Sequence, residues 1–205
     1  PDPDETSPPL DDRWLRALSI DLVGRPPYGA ERKQWLGKSR SEAIAHLLGS
    51  EEAWRHWLDE QLYYFMLIDT FRPVGTSLDG LPALLAKGGM TPRDALHRIA
   101  LSTSFDLRNP GADTFVTVVM EQFCGITVQK AKRELEIGMV AYDGGTGLFM
   151  GSTASSQSDV VRIAATHRDA ARHFVAREYE RLVRAPMDKR QRARTGKRVH
   201  REPAA

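Results

Sequence analysis

Among side chains able to do chemistry, the six His come first. His56 and Asp59 stand one helical turn apart, and His46 and His56 flank the Gly49 break. An imidazole and a carboxylate at that spacing are the parts of a general acid–base pair, or two ligands of a divalent metal. The patterns that would strengthen such a site, His-x-x-x-His and Glu-x-x-His, do not occur. His56 and Asp59 are therefore weak metal candidates, and a solvent-facing or core-edge histidine is the favoured account of them. His167 and His173 are six apart and off a shared helical face, which disfavours a metal site from those two alone. No catalytic residue is assigned and no cofactor is expected.

Three other features invite a chemical reading. Asp143-Gly144-Gly145-Thr146-Gly147 resembles a phosphate-cradling loop, but no Lys-Ser/Thr pair follows it and no parallel strand precedes it. That stretch, with Gly151 to Ser156, is expected to be a flexible surface connector. Gly-x-Ser-x-Gly is absent, so there is no nucleophile elbow. Cys124 is the only cysteine, which excludes an internal disulfide, a Cys-rich zinc or iron–sulfur site and covalent c-type haem. It is expected to be a small core residue.

The third feature is the basic tail. Residues 189–205 hold seven Lys/Arg against the single acid Glu202, so on a formal net charge of +2 the remaining chain is mildly acidic. Arg190, Arg192, Arg194, Lys197, Arg198 and Arg201 are the expected partner-binding residues, through phosphates, an anionic surface or an acidic protein. No aromatic residue in the tail offers base stacking, and a solvated linker accounts for the composition as well.

The elements that must position these groups read as helices. Hydrophobic residues make up 41% of the 205, with four Trp, enough for a real core. The longest apolar run, Leu62 to Ile68, falls far short of the roughly 18 residues of a membrane span. Leu15, Leu18 and Leu22 share one face of a first helix, capped by Asp11 or Asp12 and stopped by Gly24 before Pro26-Pro27. A short helix follows from Ala30 to Leu36. Ser39 with Glu42, and Ser156 with Asp159, have capping-box spacing, and Ser50 and Thr91 are further N-caps. The strongest periodicity runs over about 51–69, with Trp54, Trp57, Leu58, Leu62, Phe65 and Ile68, and belongs at the core. Asp113 to Cys124 is β-branched enough for a strand, yet Phe115, Val119 and Phe123 fall on a helical face and predict a helix. Val128 to Tyr142 is another, and a long helical stretch to Arg184 is expected to break near 166–169. Trp14-Leu15 … Leu22-Val23 … Pro26 aligns without gaps to Phe174-Val175 … Leu182-Val183 … Pro186. A tandem duplication and a coincidence of two amphipathic helices both explain that echo.

The stretch from Trp14 to about Thr70 resembles an exported bacterial domain of unknown function. That domain is common in planctomycetes and myxobacteria and often accompanies planctomycete-type cytochrome c domains. Leu18, Asp21-Leu22, Gly24-Arg25-Pro26-Pro27, Leu47-Leu48, Ser50 and Trp57-Leu58-Asp59 carry the resemblance. Ala112-Asp113-Thr114-Phe115 and the stretches Tyr142-Asp143-Gly144 and Ser156 to Val161 are similar to later parts of such proteins. The resemblance implies an exported, helical envelope protein and carries over no catalytic residue.

The expected fold is all-α, an irregular multi-helix bundle. Residues 1–10 would form an extended tether, such as follows a cleaved signal or a lipidated Cys or joins two domains. Residues 11–145 would form the main helical domain, 146–187 a C-terminal helical unit packed on it, and 188–205 the basic tail. The leading functional expectation is a non-catalytic scaffold or accessory subunit, periplasmic or exported, with a protein partner or self-assembly. A redox-accessory or metal-dependent subunit using a partner's cofactor is one alternative, and nucleic-acid binding through the tail is another.

Overall fold

In the structure, a computed structural model, residues 9–67, 78 and 80–188 are described. They form eleven α-helices and one small hairpin, so the fold is all-α. No described helix is long and apolar enough to cross a membrane. The described residues group into two compact units: 9–67 with 80–95, and 78 with 96–188.

The first unit contains α1 (Asp12–Val23), α2 (Gly29–Trp35), α3 (Arg40–Leu48), α4 (Glu51–Met66) and α5 (Leu81–Ala86). Asp11, Ser39 and Ser50 cap α1, α3 and α4 by accepting from backbone N–H groups of the first turn, each worth about 1 kcal/mol of helix stability. Leu15, Trp35 and Ala43 bury together with Leu10. Leu10 also exchanges backbone hydrogen bonds with the turn after α2, donating to Lys38 and accepting from Gly37. It thus belongs to the core, although its position lies in the stretch expected to be a tether. α1, α3 and α5 pack on α4, whose Trp57, Leu58, Leu62 and Phe65 are buried as the periodicity predicts. α4 stops at Met66 with Leu67 in the left-handed region. Ile68 lies outside the described residues.

α6 (Pro92–Ala100) starts in the first unit, and its residues from Leu96 belong to the second. There follow α7 (Thr103–Arg108), α8 (Ala112–Val118), a π turn (Val119–Phe123), a 3-10 turn (Val128–Lys130), α9 (Lys132–Tyr142), β1 (Gly147–Phe149), β2 (Ser152–Ala154), α10 (Gln157–Thr166) and α11 (Arg168–Val183). The helical reading of 113–124 holds, with one π turn inside it. The break between α10 and α11 falls where expected. Phe105, Phe115, Val116, Met120, Phe149 and Val160 are fully buried and form this unit's core.

The Gly-rich stretch is not a flexible connector. β1 and β2 pair antiparallel in the register Phe149 with Ser152. Met150 and Gly151 sit between them, both with positive φ, as a type I′ hairpin turn requires. Two absent side chains seat the hairpin on α9. A Cβ at Gly138 would stand 2.5 Å from Val116 Cγ1 and 3.0 Å from Phe149, and one at Gly147 would stand 2.7 Å from Ile137. The Glu134 carboxylate accepts from the Met150 N–H at 2.6 Å and anchors the turn.

Candidate functional site

The turn Gly24-Arg25-Pro26-Pro27 leaves α1 and is held by side chains from α2 and α4. Gly24 takes the left-handed cap position, φ 77°, and its N–H donates to Ile20. The His56 imidazole lies on its open face, where a Cβ would stand 2.7 Å from Nδ1. Glycine is therefore required twice over, by φ and by space. Arg25 projects from the same turn and uses its whole fork. Nη1 and Nη2 donate to Glu31 at 2.9 Å each, Nε and Nη2 donate to Glu52 at 2.6 and 2.7 Å, and Nη1 also donates to the Pro26 carbonyl. The guanidinium stacks on the Tyr28 ring, 3.7 Å from its centroid. These bonds raise the Arg25 pKa and, on the other side, hold the Glu31 carboxyl below its ordinary range. Glu31 in turn accepts from the Tyr28 N–H at the start of α2. The arrangement is a planar bidentate clamp, geometry that Lys cannot reproduce.

The second unit holds a similar seat. Gly125, φ 65°, ends the α8–π segment, and a Cβ there would stand 2.6 Å from Nδ1 of His173 on α11. Burial, with the nearby Arg177 charge, holds the His173 pKa below the usual value. The adjacent Cys124 is buried, as expected. Its thiol donates to the Ala164 carbonyl at 3.3 Å, and desolvation pushes its pKa up to about 12. A thiol so placed is not a nucleophile. Asp106 accepts from the Tyr142 hydroxyl and Gln157 Nε2, at 3.1 and 3.0 Å, and so joins α7, α9 and α10. Asp159 is held at about 2, foremost by Arg162, then by Ser155 and Ser156 at the start of α10.

The residues singled out from sequence are thus placed as follows. His56 turns to Gly24, with Nε2 3.9 Å from Glu60 Oε1 on the next turn. His46 stacks on Trp35, ring centroids 4.8 Å apart. Asp59 is half-buried on α4. No cluster of three or more metal-ligating side chains forms among the described residues. Arg190, Arg192, Arg194, Lys197, Arg198 and Arg201 lie outside the described residues. Sequence reading did not find the Arg25 clamp, whose carboxylates are 6 and 27 residues away. Its one local signal was Glu31, three residues beyond Tyr28 at a helix start. No protein-family model, no curated protein and no solved structure matches this chain.

Proposed function

We propose that the chain is a non-catalytic structural or interaction protein of the bacterial cell envelope, a scaffold or accessory subunit of a larger assembly. The observation that carries this reading is the use made of Arg25. The one charged residue of the Gly24-Arg25-Pro26-Pro27 motif is committed on both edges to carboxylates of its own unit. A guanidinium so engaged fixes a turn between helices and has no donor edge left to offer a substrate. Exposed apolar side chains, Leu107 at 71% and Leu148 at 62%, supply material for burial against a partner. The envelope location rests on the resemblance of the first unit alone.

Native mass spectrometry with absorbance detection, on protein purified from its own cells, tests the reading. A defined multi-subunit mass without visible absorbance is the expected result. A monomer carrying metal or haem would overturn it in favour of the redox-accessory alternative.

A further inference from the structure

The register of the hairpin fixes which of its backbone groups face outward. Phe149 pairs with Ser152 beside the two-residue turn, and Gly147 pairs with Ala154. Between them, Leu148 and Thr153 form the pair whose N–H and C=O groups point away from the ladder, along the two outer edges. Among the described residues, neither Leu148 nor Thr153 has a hydrogen bond beyond the hairpin. Proteins ordinarily blunt an open edge with a charge, a proline or a covering element. Here the chain between Asp143 and Asp159 carries no charged residue and no proline, in a sequence that is 27% charged. The edge is also held in place. Phe149 is buried, the Met150 N–H is anchored by Glu134 at 2.6 Å, and Gly147 approaches Ile137 closely. Met150 keeps the left-handed conformation at φ 47°, which a non-glycine residue holds only where its surroundings impose it.

The two edges differ in chemistry. Ser152 and Thr153 make the β2 side polar and exposed. On the β1 side Leu148 is exposed, and so is Val140 of α9, which lies beside the approach to β1: a Cβ on Gly145 would stand 2.6 Å from its Cγ1. The β1 edge thus offers a strand's hydrogen bonds together with apolar side chains. We infer that the β1 edge is a self-association surface, on which two copies pair their hairpins antiparallel about a two-fold axis at Leu148. Each Leu148 N–H donates to the Leu148 C=O of the other copy, and the two hairpins become one continuous sheet. A residue with both groups turned outward is complementary to itself under a two-fold axis. The two Leu148 side chains then stand directly opposite each other on one face. No charge along the edge favours a charged partner strand, and the same edge of a second copy supplies an uncharged one. The strands have three residues each, so little area is buried and the pairing is weak and concentration-dependent. The inference rests on the interaction-protein reading and names the surface it uses.

Sedimentation velocity of the full chain, from micromolar to millimolar concentration, is the test. A rise of the sedimentation coefficient toward that of a dimer is expected. Leu148→Lys and Leu148→Glu each place like charges opposite one another across the axis, and each should weaken association roughly tenfold or more. An equimolar mixture of the two variants should restore it, because the opposed charges then differ in sign. Thr153→Lys, on the polar edge, should leave association unchanged. All three side chains replaced are exposed, so the fold should tolerate the changes, which circular dichroism checks. A chain that stays monomeric throughout overturns the inference. So do single Leu148 variants that associate like wild type, a mixture that does not recover, or a loss caused by Thr153→Lys instead. A native assembly with a different protein that Leu148→Lys leaves intact removes the edge from the account but leaves the interaction reading standing. A cofactor-bearing monomer removes the reading itself.

Discussion

Arg25 ties the turn after α1 to α2 six residues on and to α4 27 residues on, and the cost of altering it follows from geometry rather than charge. Arg25→Lys keeps the cation but cannot serve both carboxylates in one plane. It should lose about 1 kcal/mol at pH 7 in urea unfolding, a modest figure because the partners are partly solvated. Arg25→Ala should lose slightly more, and its deficit should depend on pH in a defined direction. Glu31 is held below its ordinary 4.5 by the Arg25 hydrogen bonds first. Its contribution is therefore present above that value and disappears as pH falls through the depressed one. The gap between wild type and Arg25→Ala should narrow in acid; a gap that stays constant would show that the clamp is not the source. His173 works in the same direction from a different group. Its folded value lies below the usual 6.5, mainly through burial. The unfolded chain takes up the proton first, so stability should fall as pH drops below about 6.5 and level off below the folded value. His173→Gln, which cannot take up the proton, should flatten that part of the unfolding profile.

At the scale of elements, legibility followed the length of the pattern. Capping residues were readable because their signal spans four positions. Thr91 with Asp94 forms a reciprocal box, and so does Ser155-Ser156 with Asp159. α4, with sixteen residues, shows its periodicity plainly. α7 has six residues, less than two turns, and left no period to detect. The hairpin strands have three residues each, too few for an alternation, and their glycines read as looseness. In the structure Gly145 and Gly147 are close approaches, as is Gly138 within α9, while Gly144 and Gly151 supply positive φ. Gly138→Ala inserts a methyl where Val116 and Phe149 already stand. Overpacking of that kind costs about 1–3 kcal/mol, measurable as a lowered urea midpoint. Gly151→Ala meets no neighbour within 4 Å but must hold φ 82°. It should lose less, about 1 kcal/mol, from conformation alone. Equal losses at the two sites would mean that the hairpin's seat on α9 contributes little. The Arg25 clamp and the histidine seats were not legible for a different reason. They join residues whose proximity is created by the fold, and no local pattern encodes it.

At the scale of the whole molecule, the two units carry separate natural reporters. Trp14, Trp35, Trp54 and Trp57 all lie in the first unit, and Cys124 lies in the second. Tryptophan fluorescence thus follows the first core, while thiol labelling follows the second. The native thiol should be inert at pH 8, since it is buried and its pKa stands at about 12. It becomes reactive only when the π turn and α10 separate around it. Each unit has its own buried apolar centre and its own histidine seat, so unfolding of one need not require the other. Gly24→Ala strains the first unit, where a methyl would press on His56. It should lower the urea midpoint read by fluorescence by an amount corresponding to about 1–2 kcal/mol and leave Cys124 protection where it was. Gly138→Ala should do the reverse. If each variant shifted both curves equally, the chain would unfold as one cooperative body.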